Sequence, residues 1–186
     1  MSAIRKYLSL VKFSHTIFAL PFAMIGFALG IIKSEALLSS NPWYFRYGYK
    51  FLLVIICMVT ARSAAMAFNR YLDRNFDAKN PRTAIREIPS GIISANSALR
   101  FTILSCFLFL VACFFINSIC FYLSPVALFV ILFYSYTKRF TALCHLVLGL
   151  GLSLAPIGAY LSVTGHFDLL PVLFSFLLLV LLLPPF

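Results

Sequence analysis

Apolar residues collect into six long runs separated by short polar breaks, near 15–32, 51–68, 101–118, 120–136, 143–163 and 169–186. Crossing the hydrocarbon core of a bilayer takes about 20 predominantly apolar residues in a helix. The pattern therefore predicts an all-α, polytopic transmembrane helical bundle of about six helices, forming one membrane domain over 1–186. The third and fourth runs are parted only around Asn117 to Ser124, which predicts a tight turn. The last run, LLLVLLLPPF, finishes without the polar flank or basic anchor that closes a span. The first follows Arg5, Lys6 and Lys12 and could pass for a secretory leader. It is longer than a signal core and precedes no soluble segment with a small-x-small cleavage site, so it reads as a retained helix.

Composition supports the same solvent. Hydrophobic residues make up 62% of the chain and charged residues 11%, against about a quarter charged in soluble domains. The net charge of +10 lies between the apolar runs and not on one patch, so it argues for orientation in a membrane and against a nucleic-acid partner. With a cytoplasmic amino terminus, that side collects the basic residues of 5–12, 70–100 and 138–139, whereas the other side has Lys33, Arg46 and Lys50. This is a positive-inside signature. The five cysteines, Cys57, Cys106, Cys113, Cys120 and Cys144, fall in or beside apolar runs without a CxxC pair. They read as buried thiols.

Chemistry belongs in the longest polar stretch, Asn69 to Arg100, which holds three of the five acidic residues. If the second helix continues through Asp77, then Asn69, Asp73 and Asp77 recur every four residues and share a face. Two carboxylates and an amide make a hard oxygen set suited to Mg²⁺, with room for water and phosphate oxygens. Arg62, inside the second apolar run, is costly there and is expected to serve a diphosphate or Asp73. The competing reading is a solvated helix end, with Asp73 and Asp77 paired locally to Arg70, Arg74 or Lys79. Arg82 and Arg86 follow a proline break and could bring cations to a diphosphate, or simply mark a basic loop. The pair Lys138 and Arg139 likewise suits either catalysis or interfacial anchoring. Lys12, Ser14 and His15 read as a snorkelling cluster, and His145 and His166 are assigned no role.

The run NRYLDRNFD resembles the first aspartate motif of the UbiA family of aromatic prenyltransferases, NDxxDxxxD. NPRTAIREIPSG and YSYTKRFT resemble further family segments, and KYLSLVKFSHTIFALPFAMIGF is similar to the start of the bacterial quinone-pathway branch. The resemblance implies a nine-helix fold around a lipid-open cavity, of which this chain would supply about six helices. It also implies transfer of a polyprenyl group from its diphosphate to an aromatic acid, 4-hydroxybenzoate or a dihydroxynaphthoate, in ubiquinone or menaquinone biosynthesis. Mg²⁺ would lie between two aspartate motifs, and the location would be the bacterial inner membrane with the amino terminus and Asp-rich loop cytoplasmic.

By position, Asn69, Asp73 and Asp77 would be metal ligands, and Tyr134 and Lys138 fill a YxxxK element. Asp73, Asp77 and Lys138 would be catalytic, and Arg62, Asn69, Arg82, Arg86 and Tyr134 would face the diphosphate. Arg70 departs from the motif, since many members carry Asp there. No second DxxxD follows, which gives the expectation of a truncated chain and, as an alternative function, an inactive fragment. An ion-coupled transporter using Asp73 and Asp77 is a further alternative, although the other spans offer it almost no polar groups.

Overall fold

The computed structural model describes residues 3–11, 20–34, 43–140 and 144–181. Seven helices follow one another: α1 (Ala3–Val11), α2 (Leu20–Lys33), α3 (Trp43–Asp77), α4 (Ala95–Ile116), α5 (Ser118–Thr137), α6 (Cys144–Thr164) and α7 (Leu169–Leu181). No strand occurs among the described residues, as the apolar pattern predicts. Four helices, α3 to α6, are long and apolar enough to cross a membrane, and α2 and α7 are shorter apolar helices. Lys12, Ser14 and His15 lie outside the described residues.

Two elements depart from the hydropathy pattern. Helix α1 is too short and too polar to register as an apolar run. Helix α3 has 35 residues, far beyond the expected 51–68, because hydropathy marks only its apolar middle while its helical backbone continues through polar sequence at both ends. At 1.5 Å per residue it is about 52 Å long, against a hydrocarbon core of about 30 Å. Its final turns, carrying Asn69 to Asp77, thus have the length to emerge from the hydrocarbon into a polar zone.

Chain reversals are tight where polar side chains can satisfy helix ends. Ser94 caps α4 by accepting from the Ser97 amide at 3.2 Å. Between α4 and α5 the break is a single residue. Asn117, in extended conformation, accepts from the Cys120 amide at 2.8 Å and donates its own side-chain amide to the Leu161 carbonyl at 2.7 Å. At the same end of the bundle, the Lys50 ammonium donates to the Ser162 carbonyl at 2.9 Å.

Small residues let helices approach closely. Gly26 of α2 lies against Pro156 inside α6, and a Cβ there would stand 2.2 Å from the Pro156 carbonyl oxygen. One turn on, Gly30 meets Val163, whose Cβ would be 2.9 Å from an added methyl. The main core joins Ala23, Phe27 and Ile31 of α2 to Val54 and Ala61 of α3, Ala112 of α4, Leu128 of α5 and Ala159 of α6. Cys57, Cys113 and Cys120 are buried thiols within it. A second cluster, Leu10, Ala67, Ile93 and Ala98, fastens α1 to α3 and α4 beside the polar end of α3.

Candidate functional site

Helix α3 remains regular through Asp77, so the spacing of four does place Asn69, Asp73 and Asp77 on one face. Both carboxylates are largely buried, at 14% exposure for the Asp73 side chain and 9% for Asp77. Their partners come from other elements. Helix α5 ends at Thr137, and the turn that follows brings two cations to Asp73. The Lys138 ammonium donates to both the Asn69 side-chain carbonyl and Asp73 Oδ2, while Arg139 stands 3.4 Å from Asp73 Oδ1. Asp77 instead accepts twice from Arg86 Nη1, at 2.8 and 2.9 Å.

Residues 78–94 fold back over the end of α3 through local bonds. The Thr83 hydroxyl donates to the Asp77 carbonyl at 3.0 Å, and the Thr83 amide donates to the Asn80 carbonyl at 2.9 Å. The Arg86 amide donates to the Thr83 carbonyl at 3.0 Å, and the Ile93 amide to the Glu87 carbonyl at 2.9 Å. Gly91 supports this return with a φ of 76°, a left-handed conformation that glycine adopts without steric cost. An open depression of about 290 Å³ lies along the segment, lined by Arg70, Arg82, Thr83, Ile85, Arg86 and Glu87.

The sequence expectations meet this geometry unevenly. Asn69, Asp73, Asp77, Arg86 and Lys138 are brought together. Arg82 is exposed at the rim of the depression and pairs with neither carboxylate. Local pairing of the aspartates does not form, since Arg74 donates to the Tyr71 carbonyl at 2.7 Å and lies over the Tyr71 ring. Arg62 does not reach Asp73 either. It sits seven residues before Asn69, about 10 Å deeper along the helix. Its Nε is buried and has no hydrogen-bond partner among the described residues, and Tyr134 of α5 is near enough to act on its charge.

Arg139, read from sequence as one half of a basic pair, joins Lys138 on Asp73. Two further participants were not singled out from sequence. Glu87 pairs with Arg70 at 3.1 Å, and Ser9 of α1 donates to Glu87 Oε1 at 2.5 Å. Glu87 was legible only as the third acid of the polar stretch, and nothing in the sequence pattern connects Ser9 to it.

The donor set fits Mg²⁺ in character. Asn69, Asp73 and Asp77 offer hard oxygens on one face, and a magnesium site normally completes its shell with water and substrate phosphate. Among the described residues no group of three or more His, Cys, Asp or Glu side chains gathers around one point, so these ligands would hold one side of a metal–diphosphate complex.

The profile of the UbiA prenyltransferase family matches residues 19–186. The chain belongs to this family. Protoheme IX farnesyltransferase of Rhodopseudomonas palustris is 33% identical over 137 residues, which is 72% of this chain and 44% of that protein. 4-Hydroxybenzoate octaprenyltransferase of Nitrosospira multiformis is 38% identical over 118 residues, 62% of this chain and 40% of that protein. The chain thus spans less than half the length of these curated relatives. Among solved structures, the apo UbiA homolog from Aeropyrum pernix K1 superposes with a TM-score of 0.73 at 29% identity, covering 91% of this chain and 58% of that one. A UbiA homolog from Archaeoglobus fulgidus, bound to DMAPP and Mg²⁺, shares the fold with a TM-score of 0.71 at 22% identity, covering 95% of this chain and 61% of that one.

Proposed function

We propose that the protein is a Mg²⁺-dependent membrane prenyltransferase that moves a polyprenyl group from polyprenyl diphosphate to an aromatic acid, with Asn69, Asp73 and Asp77 as its metal-facing residues. The observation that carries this reading is the convergence of Lys138, Arg139 and Arg86, from two separate segments, on Asp73 and Asp77. Carboxylates for a metal and cations for phosphate oxygens stand within one hydrogen bond of each other, which is what recognition of a metal diphosphate requires. The family membership and the DMAPP and Mg²⁺ held by the A. fulgidus homolog support it.

Bound Mg²⁺ would neutralise charge on the diphosphate as a Lewis acid. The chain's own part is electrostatic. Lys138, Arg139 and Arg86 exchange their carboxylate partners for phosphate oxygens and stabilise the negative charge that develops as the allylic carbon–oxygen bond breaks. Arg62 of α3 and Tyr134 of α5, which lies near it, are assigned to the same diphosphate. The electron-rich ring of the acceptor attacks the allylic carbon as its bond to the diphosphate oxygen breaks, and loss of a ring proton or of the carboxylate as CO2 restores aromaticity.

An aromatic acid is favoured as acceptor by the opening segment similar to the quinone branch and by the octaprenyltransferase relatives. Protoheme is the second reading, because a protoheme farnesyltransferase aligns over a longer stretch of this chain. The positive-inside charge pattern supports a bacterial inner-membrane location with the Asp-rich end cytoplasmic. The test is transfer of radiolabelled polyprenyl groups in membranes containing the protein, with 4-hydroxybenzoate, 1,4-dihydroxy-2-naphthoate or protoheme as acceptor. Label in either aromatic acid supports the proposal, and label in protoheme alone overturns the acceptor.

A further inference from the structure

Arg70 and Glu87 take no part in the donor set above, yet they form the least exposed ion pair among the described residues, with side chains 7% and 13% exposed. Successive residues of an α-helix are turned about 100° from one another. Arg70 therefore leaves the face of Asn69, Asp73 and Asp77 and reaches the 78–94 segment, where its Nη1 lies 3.1 Å from Glu87 Oε2. The other oxygen, Oε1, accepts from the Ser9 hydroxyl. One carboxylate thus ties together α1, α3 and the segment between α3 and α4. Apolar contacts hold the same junction, with Leu10 fully buried beside Ala67, Ile93 and Ala98, and the Tyr7 ring 4.9 Å from that of Phe101.

The consequence falls on the neighbouring residue. Arg86 makes both bonds to Asp77, and its backbone starts one peptide unit from Glu87. Breaking a buried ion pair on one side leaves an uncompensated charge and is strongly unfavourable, so the pair holds this segment in one arrangement against α3. We propose that Arg70, Glu87 and Ser9 form a latch that positions Arg86 over Asp77 and thereby sets the affinity for the diphosphate. The affinity part rests on the polyprenyl diphosphate reading above. Arg70, the departure from the aspartate motif, is then a positioning residue and not a lost ligand.

The test uses the whole chain in lipid nanodiscs with two readouts. One is amide hydrogen exchange in residues 83–90. The other is the Kd for a non-transferable thiodiphosphate analogue of farnesyl diphosphate in the presence of Mg²⁺. Glu87→Gln is expected to speed exchange and weaken binding about tenfold, and to add little further loss in an Arg86→Ala background because the two act through one contact. The exchanged pair, Arg70→Glu with Glu87→Arg, is expected to restore both readouts toward wild type. Unchanged exchange in Glu87→Gln, or a loss of affinity that adds fully to that of Arg86→Ala, would overturn the latch. Absence of analogue binding by the wild type would instead sink the diphosphate reading. Exchange then still decides the latch: faster exchange reversed by the exchanged pair supports it, and unchanged exchange overturns it.

Discussion

Asp73 is held by the side chains of Lys138 and Arg139, whereas Asn117, at the other end of α5, gives its amide to the main-chain carbonyl of Leu161. Lys50 does the same with Ser162. At the Asp73 end, charged groups satisfy charged groups at partly exposed positions, with 24% exposure for Lys138 and 35% for Arg86. The carboxylates are largely buried but the cations reach solvent, so a phosphate can take the cations and a metal the carboxylates without leaving either charge buried and unpaired. At the Asn117 end, uncharged and cationic side chains bond to main-chain groups near helix ends, and the Leu161 carbonyl also accepts from the Gly165 amide at 2.9 Å. No carboxylate takes part that a metal could claim. The first end is arranged to be rewired by a ligand and the second to close the helix ends.

The largest effect is expected from Asp73→Ala. It should lower polyprenyl transfer about a thousandfold while membrane insertion and thermal unfolding stay near wild type, as measured by transfer rate and by scanning fluorimetry in detergent. An equal loss of folding would erase the distinction between the two ends. Gly26→Ala comes next. Its methyl meets the Pro156 carbonyl, and overpacking of this kind costs about 1–3 kcal/mol, read as a lower unfolding temperature with unchanged analogue affinity per folded molecule. The smallest is Asn117→Ala, which removes the cap of α5 and the bond to Leu161. About 1 kcal/mol of stability should go, again without change in binding. Weakened diphosphate binding in Asn117→Ala would show that the two ends are coupled.

The helical membrane fold was legible because burial in lipid forces long apolar runs, and the shared face of Asn69, Asp73 and Asp77 followed from helical spacing alone. The ends of α3 were not, since hydropathy is silent where a helix leaves the bilayer. Helix α1 escaped for a related reason: its stability comes from docking Leu10 between α3 and α4, a tertiary contact. The approach of Lys138 to Asp73 joins residues 65 positions apart, and only the family resemblance of YSYTKRFT pointed to it. Arg62 was expected to serve a diphosphate or Asp73; it lies eleven residues before Asp73 in α3, about 16 Å away along the axis, and Lys138 and Arg139 hold that carboxylate instead. Glu87 could be seen as an acid but not as the partner of Arg70, because the return of the 78–94 segment depends on its internal hydrogen bonds.

The most direct measurement is binding of the thiodiphosphate analogue to the wild-type chain in nanodiscs, titrated with Mg²⁺ present and again after chelation. Saturable binding with Mg²⁺ that is lost on chelation is the expected result. Binding of equal strength without the metal, or none in either condition, would contradict a metal-diphosphate role for Asp73 and Asp77.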